Sequence, residues 1–136
     1  NFVGLMLRLA HTAQPIRVVE DHVASPTYAP ALAARSIGLV EQGAAGVFHI
    51  GGGTPISWFD YARLIFDLAG LTPELKATNE REYRTAAARP KYSALSNAKM
   101  ESLGVDPFPP LREAVQSYLQ LRSEYATNER SSSHAT

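Results

Sequence analysis

The chain has 136 residues, 45% of them hydrophobic, and its 13 Lys and Arg balance its 13 Asp and Glu. This length and composition support one folded domain with a core. A zero net charge argues against nucleic acid or an anionic membrane surface as a partner, because both favour a basic excess. The lack of cysteine excludes disulfides, thiolate metal sites and a cysteine nucleophile, and it fits a cytoplasmic protein. No apolar run approaches the ~20 residues of a membrane span.

The first predicted elements are a helix over residues 1–11, capped by Asn1, and a strand over residues 16–20. Residues 21–27 read as a loop. A second helix is predicted from Pro30, in its first turn, to a stop at Gly43. Apolar residues at helical spacing form one stripe on this helix, namely Leu32, Ala33, Ile37 and Val40.

A second strand is predicted over residues 47–50, directly before three glycines. The next helix has the clearest start, a Ser57 cap with Asp60 three residues later, and Gly70 is its predicted stop. Further predictions are a short strand over 75–78, a helix over 96–103 and a last helix opened by Pro109-Pro110. We expect residues 1–122 to form the folded domain and residues 123–136 to be a disordered tail.

Strands separated by helices indicate an α/β fold, with helices around two or three short strands. A sheet this thin leaves its edges exposed. We therefore expect strands from a domain outside this chain to complete it.

Gly51-Gly52-Gly53 follows a predicted strand and precedes a helix, as a dinucleotide loop does. The spacing differs, because that fingerprint separates its glycines and opens the helix directly. The pattern favours a turn that needs positive φ, with close backbone approach to a ligand as the alternative.

Two proline-stiffened loops carry the candidate ligand chemistry. In the first, Ser25 and Thr27 flank Pro26 where a strand ends, a position where α/β proteins bind phosphates and sugars. A turn with a helix cap is the alternative interpretation. In the second, Arg89 precedes Pro90, and a guanidinium held this way can bind a diphosphate through two hydrogen bonds. A solvated basic face is the alternative there.

The histidines show no metal-ligand spacing, so no metal site is predicted. His22 borders the first loop and is the one histidine that we would test. No serine lies in a nucleophile elbow, so hydrolase chemistry gains no support.

Six segments, in order, resemble the C-terminal part of dTDP-4-dehydrorhamnose reductases, a family of extended short-chain dehydrogenases/reductases. The resemblance covers residues 1 to about 122. His22 replaces the usual glutamine and Ala24 the usual glycine. The matching segments are Asn1-Phe2-Val3, Val18 to Thr27, Gly46 to Ile50, Ser57-Trp58-Phe59, Arg89 to Leu95 and Leu111-Arg112-Glu113-Ala114.

The resemblance implies a parent enzyme that transfers hydride from NADPH or NADH to the C4 ketone of dTDP-4-dehydro-L-rhamnose. In that family an N-terminal Rossmann domain binds the cofactor and supplies the catalytic tyrosine and lysine. Neither that domain nor those residues occur here, so no cofactor site and no catalytic residue is expected in this chain, and the fragment alone should be inactive. A homodimer stays open for the parent. The implied nucleotide-sugar contacts are Asn1, His22, Ser25, Pro26, Thr27 and Arg89.

Two other functions remain open at the level of sequence. Relatives of this fold include non-catalytic regulatory subunits, and a full-length chain without the tyrosine–lysine pair would favour such a role. Sibling enzymes act on other nucleotide-sugars as epimerases or dehydratases. The segment from Arg89 to Leu95 leans toward the reductase.

Overall fold

Five helices and four short strands form the part of the chain that the computed structural model describes, residues 1–82 and 89–132, with side chains up to residue 124. The helices are α1 (Phe2–Leu9), α2 (Ala29–Glu41), α3 (Trp58–Ala69), α4 (Ala98–Glu101) and α5 (Leu111–Ser132). The strands are β1 (Ile16–Val19), β2 (Val23–Ala24), β3 (Ile56–Ser57) and β4 (Leu75–Thr78). The predicted α/β fold is confirmed.

The strands form two separate pairs. β1 pairs in parallel with β4, with Ile16 opposite Leu75. β2 pairs antiparallel with β3, with Val23 opposite Ser57. An isolated bridge also joins Val23 to Tyr92. The second pair therefore lies where the two predicted ligand loops meet.

The main core lies between α1, α3, α5 and β1. Ile65 and Ala62 on α3 are fully buried there. Ser57 caps α3, its Oγ accepting from the Asp60 N–H at 3.0 Å, and Gly70 ends the helix with a φ of 65°. Both predicted boundaries are confirmed. The remaining buried members of this cluster are Val3, Met6, Ile16, Val18, Tyr61, Phe66, Leu111 and Val115.

A second, smaller cluster packs between α2 and α4. Its buried members are Leu39, Met100 and Val105. Phe48 and Ile50, from the connection between α2 and β3, pack against it. The segment that leads into the three glycines is thus held by side chains.

The predicted stripe of α2 does not face the core. Ile37 and Val40 are 58% and 77% exposed, whereas Ala31 and Leu39 are buried. Leu39 packs into the second cluster, and this contact turns the predicted stripe toward solvent. Periodicity alone could not separate two adjacent apolar faces.

Two other predictions of local structure differ from the fold. Residues 47–50 form no strand, and His49 is exposed. Val23–Ala24 forms β2 inside the predicted loop, because β3 supplies a distant partner.

α5 runs as a helix to Ser132. On this helix, the Gln120 side-chain amide donates to Glu124 across one turn at 3.2 Å. The disordered tail expected over residues 123–136 stays a prediction, and its residues 133–136 lie outside the described residues.

Candidate functional site

The two predicted ligand loops run side by side. The Val23 N–H donates to the Lys91 carbonyl at 2.7 Å, and the Ser93 N–H donates back to the Val23 carbonyl at 2.9 Å. The Leu95 N–H donates to the Ser25 hydroxyl at 3.3 Å. Segments about seventy residues apart along the sequence therefore form one surface, as their chemistry suggested.

A charged cluster fixes the start of the first loop. The Asp21 carboxylate lies 3.1 Å from His22 Nδ1 and 3.4 Å from Lys91 Nζ, and it accepts from the Glu80 N–H at 3.2 Å. Desolvation alone would raise the pKa of Asp21, but hydrogen bonds from Glu80 N–H, His22 and Lys91 outweigh it and hold the pKa below its ordinary value. His22 is only 9% exposed, so its ring is held in a fixed position.

The hydroxyl of Thr27 closes the loop rather than pointing a free proton at a ligand. Its Oγ1 donates to the Ser25 carbonyl at 2.9 Å and accepts from the Gly52 N–H at 3.0 Å. A Cβ on Gly52 would overlap the Pro26 carbonyl oxygen. The one proton of the Thr27 hydroxyl is therefore used within the loop.

The three glycines do not fit a dinucleotide cofactor. The Gly51 N–H donates to Asn97 Oδ1 at 2.9 Å, and the Gly52 N–H is engaged by Thr27. The N–H groups of Gly51 and Gly52, which a phosphate would need as donors, are therefore already hydrogen-bonded within the chain. Gly53 has a φ of 76°, as expected for a turn.

His22 and Arg89 line a cavity of about 400 Å³ next to α1. Arg17 and Glu80 add further charge to its lining. Phe2, Met6 and Trp58 lie among its apolar lining residues. We call this the Arg89 cavity. An apolar wall with a few polar groups is the usual composition of a ligand pocket.

Asn1, Pro26 and Thr27 line a second cavity of about 660 Å³. Phe2 and Trp58 line both cavities, with their ring centroids 4.7 Å apart. The predicted site residues are therefore divided between two sides of an aromatic pair. Ser25 lines neither of these two cavities.

Asn1 has a structural role that sequence reasoning gave only in part. Its Oδ1 accepts from the Gly4 N–H at 2.8 Å, which confirms the predicted cap, and its Nδ2 donates to the Tyr118 hydroxyl at 3.0 Å. Nearby, burial raises the pKa of Tyr61 to about 12, and the electrostatic interaction with Tyr118 adds to this shift. No local signal in the sequence marks Tyr118 as a partner of Asn1.

Within residues 1–82 and 89–132, no group of three or more histidine or acidic side chains is placed to hold a metal ion. Over the same described ranges, no helix has the length and apolar character needed to span a membrane.

Proline-stiffened loops that pair beside a cavity with apolar walls and two arginines have the composition typical of a small-ligand-binding unit. The family model described as the RmlD substrate binding domain matches residues 1–123. This chain belongs to that family.

Curated relatives agree with the family. The chain is 39% identical over 123 residues to the spore coat polysaccharide biosynthesis protein SpsK of Bacillus subtilis, covering 90% of this chain and 43% of the relative. It is 38% identical to the dTDP-4-dehydrorhamnose reductase of Salmonella typhimurium, covering 74% of this chain and 38% of that enzyme. The chain thus spans about two fifths of the length of these relatives.

Solved structures show the same fold. A dTDP-4-dehydrorhamnose reductase of Clostridium acetobutylicum superposes with a TM-score of 0.86 at 32% identity, over 90% of this chain and 44% of that one. The reductase of Bacillus anthracis, solved in complex with NADP, gives 0.83 at 31% identity, over 88% and 42%. A dTDP-glucose 4,6-dehydratase at 16% identity shares the fold alone.

Proposed function

We propose that this chain is the nucleotide-sugar-binding portion of an NAD(P)H-dependent reductase that acts on the 4-keto group of dTDP-4-dehydro-L-rhamnose. The Arg89 cavity is the observation that carries this proposal. It combines apolar and aromatic lining with two arginines and a buried histidine. The membership of the RmlD substrate binding domain family supports the same substrate class.

The chemistry of the Arg89 cavity suits a nucleoside diphosphate sugar. A guanidinium donates two parallel hydrogen bonds to a diphosphate, which makes Arg89 the proposed diphosphate ligand. Trp58 and Phe2 offer flat apolar surface for a base or a sugar ring. His22, fixed by Asp21, presents a polar group at the wall.

Ser25, Pro26 and Thr27 are proposed to shape the substrate side of the loop, and Asn1 to anchor the aromatic pair through α1. Their contacts to Leu95, Gly52 and Tyr118 support a role in holding the site.

The redox chemistry is proposed to come from an N-terminal Rossmann domain of the parent, meaning the longer protein of which this chain is a part. NADPH or NADH bound there would supply the hydride. By this proposal, the task of this chain is to position the C4 ketone and exclude water. By this proposal the chain alone is inactive, and the parent is a cytoplasmic enzyme. A homodimer of the parent stays a prediction.

The comparisons favour this proposal over the two alternatives. Relatives named as 4-keto sugar reductases match at 32–38% identity. The dehydratase and an epimerase match at 16%, which supports the fold only. A dTDP-4-keto-6-deoxy-D-glucose reductase of Streptomyces niveus makes a related keto sugar the natural second substrate to assay.

The test is the parent protein, made by joining this chain to its native preceding sequence. NADPH oxidation is followed with dTDP-4-dehydro-L-rhamnose and, separately, with dTDP-4-keto-6-deoxy-D-glucose. We expect oxidation with the first substrate, and Arg89→Ala should raise KM by about 10- to 100-fold for the lost charged hydrogen bonds.

Arg63→Ala is the matched control, because Arg63 lies on α3 with its side chain 71% exposed and pairs with Asp60 at the surface. It should leave KM unchanged. Wild-type kinetics in Arg89→Ala would remove the assignment of Arg89. A parent that oxidises NADPH with neither keto sugar would refute the proposed activity.

A further inference from the structure

His22 carries a ring nitrogen that lacks a hydrogen-bond partner. The residue is 9% exposed, and its Nδ1 lies 3.1 Å from the Asp21 carboxylate. Its other ring nitrogen, Nε2, makes no hydrogen bond to any described residue. Polar atoms on side chains this buried are normally paired. Because His22 lines the Arg89 cavity, a ligand bound there can supply the missing partner.

Asp21 determines which nitrogen of the His22 ring carries the proton. Despite desolvation, hydrogen bonds from the Glu80 N–H, the His22 ring and Lys91 keep the pKa of this carboxyl below its ordinary value. The carboxylate is therefore ionised near neutral pH and can only accept hydrogen bonds, so Nδ1 must donate to it. In the neutral imidazole, Nε2 then has a lone pair and no hydrogen, which makes it an acceptor.

The orientation of the His22 ring is fixed by contacts around it. The Trp58 N–H donates to the His22 carbonyl at 3.2 Å, and Lys91 Nζ lies 3.4 Å from the second oxygen of Asp21. Turning the ring over would break its bond to that carboxylate. The glutamine usual at this position in the family has an amide that can turn either its oxygen or its NH2 toward a ligand. A histidine held in this way is therefore the more selective group.

The remaining lining of the Arg89 cavity suits the imide edge of a thymine. That edge has one donor, N3–H, between two carbonyl oxygens, and proteins read unpaired bases along this edge. Arg17 lines the cavity and carries donors only, which suit the carbonyl oxygens, while Phe2 and Trp58 offer flat surface to the ring. Glu80 also lines the cavity with an acceptor, but it is exposed, so water competes for its carboxylate.

We propose that His22 Nε2 accepts a hydrogen bond from the N3–H of the thymine base and thereby sets the base specificity of the Arg89 cavity. Asp21 is the positioning residue, because it holds the proton on Nδ1. The inference rests on the proposed function, since it needs a nucleotide in this cavity, and it names the group that distinguishes the base. A contact to the diphosphate or to a sugar hydroxyl is the competing role of Nε2.

Calorimetric titration of the parent with dTDP and with its N3-methyl derivative tests the inference. In the wild type, the methyl group should weaken binding by about 10-fold or more, because the N3–H donor is lost. In His22→Phe, dTDP itself should bind about 10-fold more weakly, and the methyl group should add little, since the acceptor is already gone. Equal affinity of the wild type for the two ligands would overturn the proposal, and that comparison needs no variant to fold.

The same titrations separate the base from the two competing contacts. If His22→Phe weakens dTDP and its N3-methyl derivative by the same factor, Nε2 contacts the diphosphate, and the proposal is overturned. A loss seen with dTDP-L-rhamnose but not with dTDP would assign Nε2 to the sugar and would also overturn it.

His22→Gln tests specificity rather than affinity. The preference for dTDP over dCDP should narrow by about 10-fold, because the amide can turn its NH2 toward the acceptor N3 of cytosine. His49→Phe is the matched control for His22→Phe, since His49 is exposed and lies outside the lining of the Arg89 cavity. It should leave both affinities unchanged. An unchanged preference in His22→Gln would count against base recognition by His22.

Nitrogen NMR of the labelled parent reads the tautomer directly. At pH ~8, where a free imidazole is neutral, we expect the His22 ring to carry its proton on Nδ1 and none on Nε2. A proton on Nε2 would overturn the proposal.

NADPH oxidation and Arg89→Ala keep this inference apart from the proposed function. An active parent that loses dTDP affinity in Arg89→Ala but not in His22→Phe would overturn only the role of His22. The predicted N3-methyl effect in a parent without reductase activity would overturn only the proposed function.

Discussion

Gly52→Ala should destabilise the chain by about 3 kcal/mol, because a methyl group there has no space. The added Cβ would overlap the Pro26 carbonyl oxygen, and it would lie 2.9 Å from the Pro26 carbonyl carbon and 3.4 Å from Thr27 Cα. All three atoms are backbone, so no side-chain rotation can relieve the overlap. The loop must move, and the bond from the Gly52 N–H to Thr27 Oγ1, worth about 1 kcal/mol, weakens with it.

Urea denaturation followed by circular dichroism measures the effect as a lower midpoint at unchanged slope. Gly38→Ala is the control. Gly38 lies in α2, where an added Cβ would lie at an ordinary 3.9 Å from Val105 Cγ1, so this variant should stabilise by about 0.5–1 kcal/mol. A Gly52→Ala chain within about 1 kcal/mol of wild type would refute the packing argument for the glycine turn.

Three further outcomes follow from individual groups. Ser57→Ala should lower the free energy of unfolding by about 1 kcal/mol in the same urea assay, because the α3 cap is lost; no change would contradict that role. The pKa of Tyr61 is raised from 10.0 to about 12, so the stability from its neutral form should persist below pH 10 and be lost as pH rises through 12. Tyr61→Phe should remove this loss of stability at alkaline pH, measured as the free energy of unfolding against pH. The pKa of Asp21 lies below its ordinary 3.8. The stability that its ionised form contributes to the fold is therefore present above pH 3.8 and is lost as the pH falls through the lowered pKa. Asp21→Asn should therefore reduce the loss of stability at acid pH, measured as the free energy of unfolding against pH. An unchanged loss would contradict the stabilising role of the cluster around Asp21.

Local signals predicted the elements whose ends are set by their own residues. The cap at Ser57 and the stop at Gly70 both appear in the fold. Each depends on a side chain or backbone conformation that acts within a few residues. These are the features that one sequence can predict.

Features that depend on distant partners were missed. β2 exists because β3 lies beside it, and no pattern in Val23-Ala24 marks that pairing. The stripe of α2 is the opposite case, since Ile37 and Val40 form a periodic face that finds no cover among the described residues.

The candidate site was predicted in its chemistry more than in its geometry. Both proline-stiffened loops meet, as their composition suggested, and Arg89 and His22 line one cavity. Sequence alone could not show that Thr27 is engaged by Gly52, or that Asn1 reaches Tyr118 at the far end of the chain. These contacts join residues that are 25 and 117 positions apart.

Calorimetric titration of the parent with dTDP tests most directly whether the Arg89 cavity binds a nucleotide diphosphate. The account predicts saturable binding that weakens by about 30-fold in Arg89→Ala, close to 2 kcal/mol, with little change in Arg63→Ala. Thymidine, which lacks the diphosphate, should bind weakly to the wild type and to Arg89→Ala alike. Equal affinity of wild type and Arg89→Ala for dTDP, or thymidine binding as tight as that of dTDP, would contradict it.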